Sequence, residues 1–290
     1  MIDLLRYVIA GLALGSLYGL LALGVSTLLR GTDIPNFAQG SFALAAAYVS
    51  WWLSMKGLFL PLALLGGVAA SSLIAYLADR LAMRHMLGAP IVSLLIFTLG
   101  LQITINNGAL LIWGPNTQTP PQIFPNGGFT IGSLTLEYRS IGYIVVGGAI
   151  AWLMTRFFDR TRIGISMRAV SEHRTWPSYL GVNVPSVLSL TWLVAGLLGG
   201  IGGVLIASGT FLDPTVMDSA LIPAFTAGAI GGFTSLTGAY MGGLILGVAG
   251  NLAAAYISPD FKSSITFIFL LLVLIVRPQG LFTTRQERVL

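Results

Sequence analysis

Long apolar runs recur along the whole chain, and short polar segments separate them. Most runs approach the length of about 20 residues that a helix needs to cross a bilayer. Their continuity favours helices over the alternating strands of an outer-membrane barrel. The pattern therefore predicts an all-α polytopic membrane protein with one transmembrane domain over residues 1–290. The predicted segments are 4–29, 36–52, 58–77, 91–113, 140–157, 187–208, 220–233, 239–257 and 264–276.

Two of these segments depart from a simple crossing. Pro35 fits poorly inside a helix and restricts Ile34 before it, so we expect the helix to restart near Asn36, with Asn36 as its N-cap. The restart is either a break inside the membrane that faces a cavity or an ordinary turn between two crossings. Residues 220–233 are short for a full crossing. We therefore expect about eight or nine crossings, with one or two broken or re-entrant segments.

The composition supports a membrane protein and excludes several other classes. Hydrophobic residues make up 55% of the chain and charged residues 9%, against about 25% charged in an average soluble domain. Basic residues at one membrane face account for the net charge of +5, so no nucleic-acid partner is expected. Cysteine is absent and both histidines lie in basic loops, so the sequence offers no disulfide framework and no metal site.

Charge asymmetry predicts the cytoplasmic side. Cytoplasmic loops carry an excess of Lys and Arg, and the basic residues here concentrate in residues 79–85, in residues 156–174 and in the tail that begins at Arg277. We therefore assign a loop at 156–185 and a tail at 277–290 to the cytoplasm.

Two other segments are expected on the opposite, periplasmic side. Residues 209–219 hold Asp213 and Asp218 but no Lys or Arg. Residues 114–139 are rich in Pro, Gly and Asn, with Asn-Gly-Gly at 126–128 between two short alternating segments. That arrangement is typical of a small hairpin or lid outside the membrane.

Polar side chains within or beside the apolar segments are candidates for a solute pathway. One group follows the predicted break, and the other lies in the unusually polar segment 91–113. For the second group, hydrogen bonding between helices, worth about 1 kcal/mol each in membranes, is an equal alternative. The candidates are Asn36, Phe37, Gln39, Gly40 and Ser41 in the first group and Gln102, Asn106 and Asn107 in the second.

The chain lacks the motifs of an energy source or a catalyst. It has no G-x-x-x-x-G-K-[ST] phosphate loop, and its apolar segments hold no carboxylate pair or serine–histidine arrangement. Charges inside crossings, which usually mark ion coupling, are nearly absent. We therefore expect a transport protein powered by a partner rather than an enzyme. A self-contained secondary carrier or channel for a small neutral solute is the alternative.

Several stretches resemble the LivH-type permeases, the membrane subunits of branched-chain amino acid ABC importers. They are IPNFAQGSFALAAAYV at 34–49, SMRAVSEHRTWPSYLGVNVPSVLSLTWLVAGLLGGIGGVL at 166–205, GAIGGFTSLTGAYMGGLILG at 228–247 and VRPQGLF at 276–282. The likeness covers nearly the whole chain, and the second and fourth stretches are its more specific parts.

The resemblance implies a permease subunit in a bacterial inner membrane that forms the substrate pathway with a second, LivM-like permease. The further partners would be two cytoplasmic ATPase subunits, which hold ATP and Mg, a periplasmic binding protein and membrane lipid. This chain would bind no cofactor itself. The substrate would be a branched-chain amino acid or a related small solute such as urea or an amide. The family usually carries His and Glu where this chain has Gln39 and Ser41, which puts the substrate in doubt.

The resemblance also makes the loop at 156–185 the element that contacts the ATPase. Ser171 could cap a short helix or turn, and Gly181 stands at a C-cap-like place in a sharp turn. The alternative is that the arginines only meet anionic lipid and set the topology. The coupling candidates are Arg168, Ser171, Glu172, Arg174, Leu180 and Gly181.

Overall fold

The computed structural model describes residues 2–32, 35–86, 88–131, 134–172, 176–259, 261–277 and 279–282. These residues form eleven α-helices, a 3₁₀ helix (Met83–Met86) and one two-stranded hairpin. The helices are α1 (Ile2–Thr32), α2 (Gln39–Met55), α3 (Leu60–Leu81), α4 (Ile91–Trp113), α5 (Tyr138–Arg160), α6 (Arg162–Glu172), α7 (Trp176–Tyr179), α8 (Val184–Ser208), α9 (Asp218–Gly231), α10 (Leu236–Tyr256) and α11 (Phe261–Val276). The predicted helical class is confirmed, and the strand pair lies within the segment where a hairpin was predicted.

Six helices in the described part of the chain are long and apolar enough to cross a bilayer: α1, α3, α4, α5, α8 and α10. The other apolar helices are shorter, with 17 residues in α2, 14 in α9 and 16 in α11. The chain is therefore a multi-pass membrane protein. The expected eight or nine crossings depend on these three short helices and stay a prediction.

Glycines bring α1 and α10 into backbone contact. A Cβ added at Gly11 would lie 2.7 Å from the Cα of Val248, and one at Gly15 would lie 2.6 Å from the carbonyl oxygen of Gly243. Gly247 packs in turn against Gly11 and Gly15. The small-xxx-small spacing in the first apolar segment thus marks a close helix contact, as in other membrane helices.

The restart after Pro35 differs from the prediction in two details. The helix α2 begins at Gln39 rather than near Asn36. Asn36 is not the N-cap, since that position is held by Ala38. The Oδ1 of Asn36 instead accepts a hydrogen bond from the N–H of Ala38 at 3.0 Å, which forms an Asx turn before the helix.

The break between α1 and α2 lies inside the helix bundle. Gln39, the first residue of α2, packs against Gly24 of α1 and Gly199 of α8, well inside both helices. Residues 38–48 are buried throughout. Of the two interpretations of the break, the structure therefore supports an interior break over a turn beyond the helix ends.

The segment after α11 closes the end of α9. The N–H of Leu281 donates to the carbonyl of Ile230 at 2.8 Å, and that of Phe282 donates to the carbonyl of Gly231 at 3.2 Å. Gly280 allows this approach because its φ is +86° and an added Cβ would collide with the turn after α9. These bonds satisfy carbonyls that a helix end leaves without an intrahelical partner.

The hairpin predicted within residues 114–139 is present, but its strands lie later than expected. Strand β1 (Gly128–Ile131) pairs antiparallel with β2 (Leu134–Glu137), with Gly128 opposite Glu137. Asn-Gly-Gly at 126–128 therefore leads into β1 instead of lying between the strands. The Asn-Gly signal marks a local turn but does not determine which neighbouring residues pair.

Close packing at the α1–α10 contact predicts a difference between two glycine substitutions. We expect Gly15→Ala to lower the free energy of unfolding by about 1–3 kcal/mol, because the new methyl group meets backbone atoms that cannot move aside. Gly108→Ala on α4 is the matched control, since an added Cβ there has nothing within 4 Å. Thermal unfolding of the purified protein in detergent measures both. Equal melting temperatures would contradict the contact.

Candidate functional site

A cluster of polar side chains joins α2, α4 and α9. The hydroxyl of Ser41 donates to Oδ1 of Asn106 at 2.7 Å. Two amides donate to Oδ1 of Asp218: Nε2 of Gln102 at 3.2 Å and Nδ2 of Asn106 at 3.4 Å. We call Ser41, Gln102, Asn106 and Asp218 the polar cluster. Three of its members were pathway candidates from the sequence.

The helical spacing of α4 explains which of its amides join the cluster. Gln102 and Asn106 are four residues apart and therefore lie on one helix face. Asn107 points elsewhere, and its Nδ2 donates to the carbonyl of Ile103 in its own helix at 2.8 Å. The structure thus brings two of the three α4 candidates together and leaves Asn107 outside the cluster.

Asp218 is the functional candidate that the sequence analysis missed. It was assigned with Asp213 to a loop outside the membrane, but it is the first residue of α9 and contacts the middle of α4. Its side chain is exposed. An acidic residue directly before an apolar helical stretch is a typical helix-start signal, and that signal could have separated Asp218 from the loop.

Gln39 has a packing environment that differs from that of the cluster. It is fully buried, and its Nε2 donates to the carbonyl of Ala195 on α8 at 3.0 Å. An added Cβ at Gly24 or Gly199 would meet this side-chain amide. No described residue bonds its Oε1. Gln39 therefore joins α1, α2 and α8 at the break.

The remaining candidates near the break lie against α9 or inside the fold. The ring of Phe37 packs on that of Phe225 with centroids 5.4 Å apart. Gly40 faces the start of α9, since an added Cβ would lie 3.4 Å from the carbonyl oxygen of Met217. Asn36 is buried. The beginning of α2 is therefore placed beside the beginning of α9.

The predicted coupling loop contains two short helices. Residues 156–160 still belong to α5, and α6 and α7 follow before α8 begins. Met167 and Val170 form the buried face of α6, while Ile163 and Ile165 are about half exposed. This amphipathic helix lies against α1, α5 and α8.

Two charged or polar coupling candidates are engaged within the chain. Arg168 forms an ion pair with Asp159, with Nη1 and Oδ1 2.8 Å apart. The hydroxyl of Ser171 donates to the carbonyl of Arg168 at 2.7 Å, so Ser171 bonds back into α6, and its predicted capping role falls on residues outside the described part of the chain. The side chain of Glu172 and all of Arg174 lie outside the described residues.

Of the other coupling candidates, Leu180 belongs to an exposed apolar patch after α6, and Gly181 follows this patch directly. Trp176 is 70% exposed, and Tyr179 and Leu180 are each 85% exposed. The expected sharp turn is present, because Gly181 has a φ of +81° and its N–H donates to the carbonyl of Ser178. We call Trp176, Tyr179 and Leu180 the apolar patch. The sequence signal for this patch is the pair of aromatic residues in WPSYL at 176–180, which the sequence analysis did not use.

The last turn of α1 connects α6 with the break. The guanidinium of Arg30 lies over the ring of Phe158 at 5.9 Å. A narrow cleft between α1 and α6 is lined by Thr27, Arg30, Met167 and Ser171, among others. The coupling candidates on α6 and the break are thus neighbours along α1.

A second set of contacts fixes the start of α8. Asp79 in the last turn of α3 is buried, and it accepts a hydrogen bond from the hydroxyl of Ser189 at 2.5 Å. Nη2 of Arg84 donates to the same hydroxyl oxygen at 2.9 Å. In the described part of the chain, no three side chains of His, Cys, Asp or Glu group as metal ligands would.

Known proteins match this chain over most of its length. A family model described as "Branched-chain amino acid transport system / permease component" matches residues 7–275. The high-affinity branched-chain amino acid transport system permease protein BraD of Pseudomonas aeruginosa is 30% identical, over 96% of this chain and 95% of BraD. The corresponding LivH of Salmonella typhimurium is 31% identical, over 96% and 94%. The probable LivH of Methanocaldococcus jannaschii is 26% identical, over 90% and 87%. The chain therefore belongs to the family of branched-chain amino acid transport system permease components.

Proposed function

We propose that this permease component lines the substrate pathway of an ATP-binding-cassette importer for branched-chain amino acids. The observation that carries the pathway is the polar cluster, which is open at the surface between apolar helices. A second, LivM-like permease completes the pathway, two cytoplasmic ATPase subunits hold ATP and Mg, and a periplasmic binding protein delivers the solute. The complex lies in a bacterial inner membrane, with the C-terminus of this chain in the cytoplasm.

The exposure of the polar cluster argues against a lipid-facing position. Asp218 is exposed, and Gln102 and Asn106 are partly exposed near the middle of α4. A charged side chain at the bilayer centre costs about 2.5–3.5 kcal/mol in insertion measurements. Polar groups at that depth therefore face protein or a water-filled cavity. We assign the surface opposite the cluster to the second permease and to the path between the two chains.

The apolar patch supports docking of an ATPase subunit. Trp176, Tyr179 and Leu180 follow a strongly basic segment, so the positive-inside bias places them in the cytoplasm. Large aromatic residues exposed together favour insertion into a pocket of a protein partner. In this proposal the patch makes the main contact, while Arg168 holds α6 to α5 through Asp159.

Other arginines of the segment suit the membrane surface. The guanidinium of Arg156 lies over the ring of Trp152 at 5.2 Å, and Trp152 is 59% exposed. Tryptophan and arginine at a helix end are typical anchors at the lipid interface. We assign this pair to lipid contact.

ATP-driven uptake of leucine is the direct test of the proposed function. The chain is expressed with its partner chains, and the purified complex is reconstituted in proteoliposomes with the binding protein. We expect uptake of radiolabelled leucine, isoleucine and valine only when ATP reaches the ATPase side. Uptake by this chain alone, without ATP, would instead support a self-contained carrier. Transport of urea or an amide but not of leucine would reassign the substrate.

The two adjacent asparagines of α4 predict different transport phenotypes. Asn106→Leu removes the hydrogen bonds that Asn106 itself forms with Ser41 and Asp218, so we expect leucine uptake to fall about tenfold, as for loss of roughly 1.4 kcal/mol. Asn107→Leu is the matched control, since its amide bonds only its own helix. Uptake measured at low leucine concentration compares them. Equal losses in both variants would contradict a role for the cluster in the pathway.

The ion pair of Arg168 predicts a rescue experiment that separates packing from partner contact. Arg168→Glu should reduce ATPase stimulation, because the new glutamate carboxylate would lie beside the carboxylate of Asp159 and the two negative charges repel each other. Adding Asp159→Arg restores an ion pair of reversed polarity, and we expect stimulation to recover.

Leu180→Asp changes the apolar patch without touching the ion pair. We expect Leu180→Asp to abolish ATPase stimulation while membrane insertion stays intact. Adding Asp159→Arg to this variant should not restore the stimulation. Unimpaired stimulation in Leu180→Asp would contradict docking at the patch. Failure of the double exchange to recover would show that Arg168 itself contacts the partner.

A further inference from the structure

Asp218 has one carboxylate oxygen that the described residues leave without a hydrogen bond. Its Oδ1 accepts bonds from Gln102 and Asn106, while no hydrogen bond among the described residues reaches Oδ2. Among the described residues, the ion pairs join Arg139 to Glu137 and Arg168 to Asp159, and Asp218 takes part in neither. Neutral donors therefore hold the carboxylate in place without compensating its charge.

We propose that Asp218 binds the ammonium group of the transported solute. The inference rests on the proposed transport function and adds the residue of this chain that recognises the amine of the solute. An ammonium offers three donors, and a hydrogen bond between charged groups is roughly twice as strong as one between neutral groups. Urea and simple amides lack that charge, so the site favours an amino acid over them.

The amides of the polar cluster supply the complementary half of the site. Each side-chain amide carries two N–H groups, and Gln102 and Asn106 each use their nitrogen towards Asp218. The hydroxyl of Ser41 donates to Oδ1 of Asn106, which keeps Nδ2 on the side of Asp218. The remaining N–H groups are available to a carboxylate of the solute. The carboxylate of Asp218 would face the amine of the solute, and the amides of Gln102 and Asn106 would face its carboxylate. This arrangement fits a zwitterion whose amine and carboxylate are attached to the same carbon.

A purely structural role for Asp218 makes a different prediction. An acidic residue in the first turn stabilises a helix through the helix dipole, and its loss would lower stability without selecting among solutes. Asp213 provides a matched control on the same side of the protein. Its Oδ1 accepts hydrogen bonds from the N–H and the hydroxyl of Thr215, at 2.8 Å and 2.7 Å, so its carboxylate serves a turn.

The first test compares Asp218→Asn, Asp218→Glu and Asp213→Asn in the complete transporter in proteoliposomes. Leucine uptake below saturation and ATP hydrolysis are measured on the same vesicles. We expect Asp218→Asn to lower leucine uptake about tenfold or more while ATP hydrolysis persists, since a charge-assisted hydrogen bond is lost. Asp218→Glu should retain a larger share, and Asp213→Asn should stay near wild type. Uptake by Asp218→Asn within about twofold of wild type would overturn the proposal.

The second test does not depend on leucine transport and leaves Asp218 in place. The chain has no cysteine, so Ser219→Cys adds a single reporter next to Asp218. Cationic and anionic methanethiosulfonate reagents label this cysteine in the complete complex, and the ratio of the two rates is compared with that after adding Asp218→Asn. We expect the preference for the cation to be lost in the double variant. An unchanged ratio would overturn the proposal.

Protection by solutes gives a readout in the complex that carries Ser219→Cys alone. Leucine should slow labelling, whereas 4-methylpentanoate, which keeps the carboxylate but lacks the amine, should not. Equal protection by both compounds would show that the amine is not recognised. A complex with Ser219→Cys that does not take up leucine but is still labelled faster by the cationic reagent would contradict the proposed substrate. The same result would still support a cation-binding site at Asp218.

Discussion

A chain that crosses a bilayer must satisfy its backbone hydrogen bonds within the protein, and the break between α1 and α2 is where this constraint governs the structure. The break is tolerated because it lies among helices. Asn36 supplies a side-chain acceptor for the N–H of Ala38. Gly24 and Gly199 leave room for the amide of Gln39, which reaches a carbonyl of α8. Without these close contacts, the start of α2 would have to lie outside the bundle.

The position of the break determines what lies on either side of it. Because α2 begins deep in the bundle, Ser41 in its first turn reaches the middle of α4, where Asn106 accepts its hydrogen bond. On the other side, Arg30 in the last turn of α1 lies over the ring of Phe158 on α5 and lines a narrow cleft with Met167 and Ser171 of α6. A displacement of α6 by an ATPase would therefore press on the end of α1 next to the break. Coupling between α6 and the break then requires that α1 move between two discrete positions.

Local physical rules made most of the helices predictable, whereas contacts between distant residues were not. The segment after Pro90 was predicted to its last residue at Trp113. The sequence could not show that Asp159 pairs with Arg168, since charge pattern alone does not specify the geometry between α5 and α6. The sequence could not show either that Asp218 begins α9 and bonds amides of α4, since those partners lie 116 and 112 residues away along the chain; its assignment to the outer side of the membrane stays a prediction.

Two glutamines of this chain show why residue type alone does not identify a pathway. Gln39 and Gln102 were both candidates, yet Gln39 is fully buried and holds three helices together, while Gln102 is partly exposed and bonds a carboxylate. The permeases that this chain resembles usually carry a glutamate at the position of Ser41. A carboxylate there would share Asn106 as a neighbour with Asp218, and two like charges near one partner disfavour each other. The serine instead donates to Asn106 and turns the amide nitrogen towards Asp218. The single charge of the cluster therefore comes from α9, and selectivity for charge within this chain is expected to follow Asp218 rather than the residues at the break.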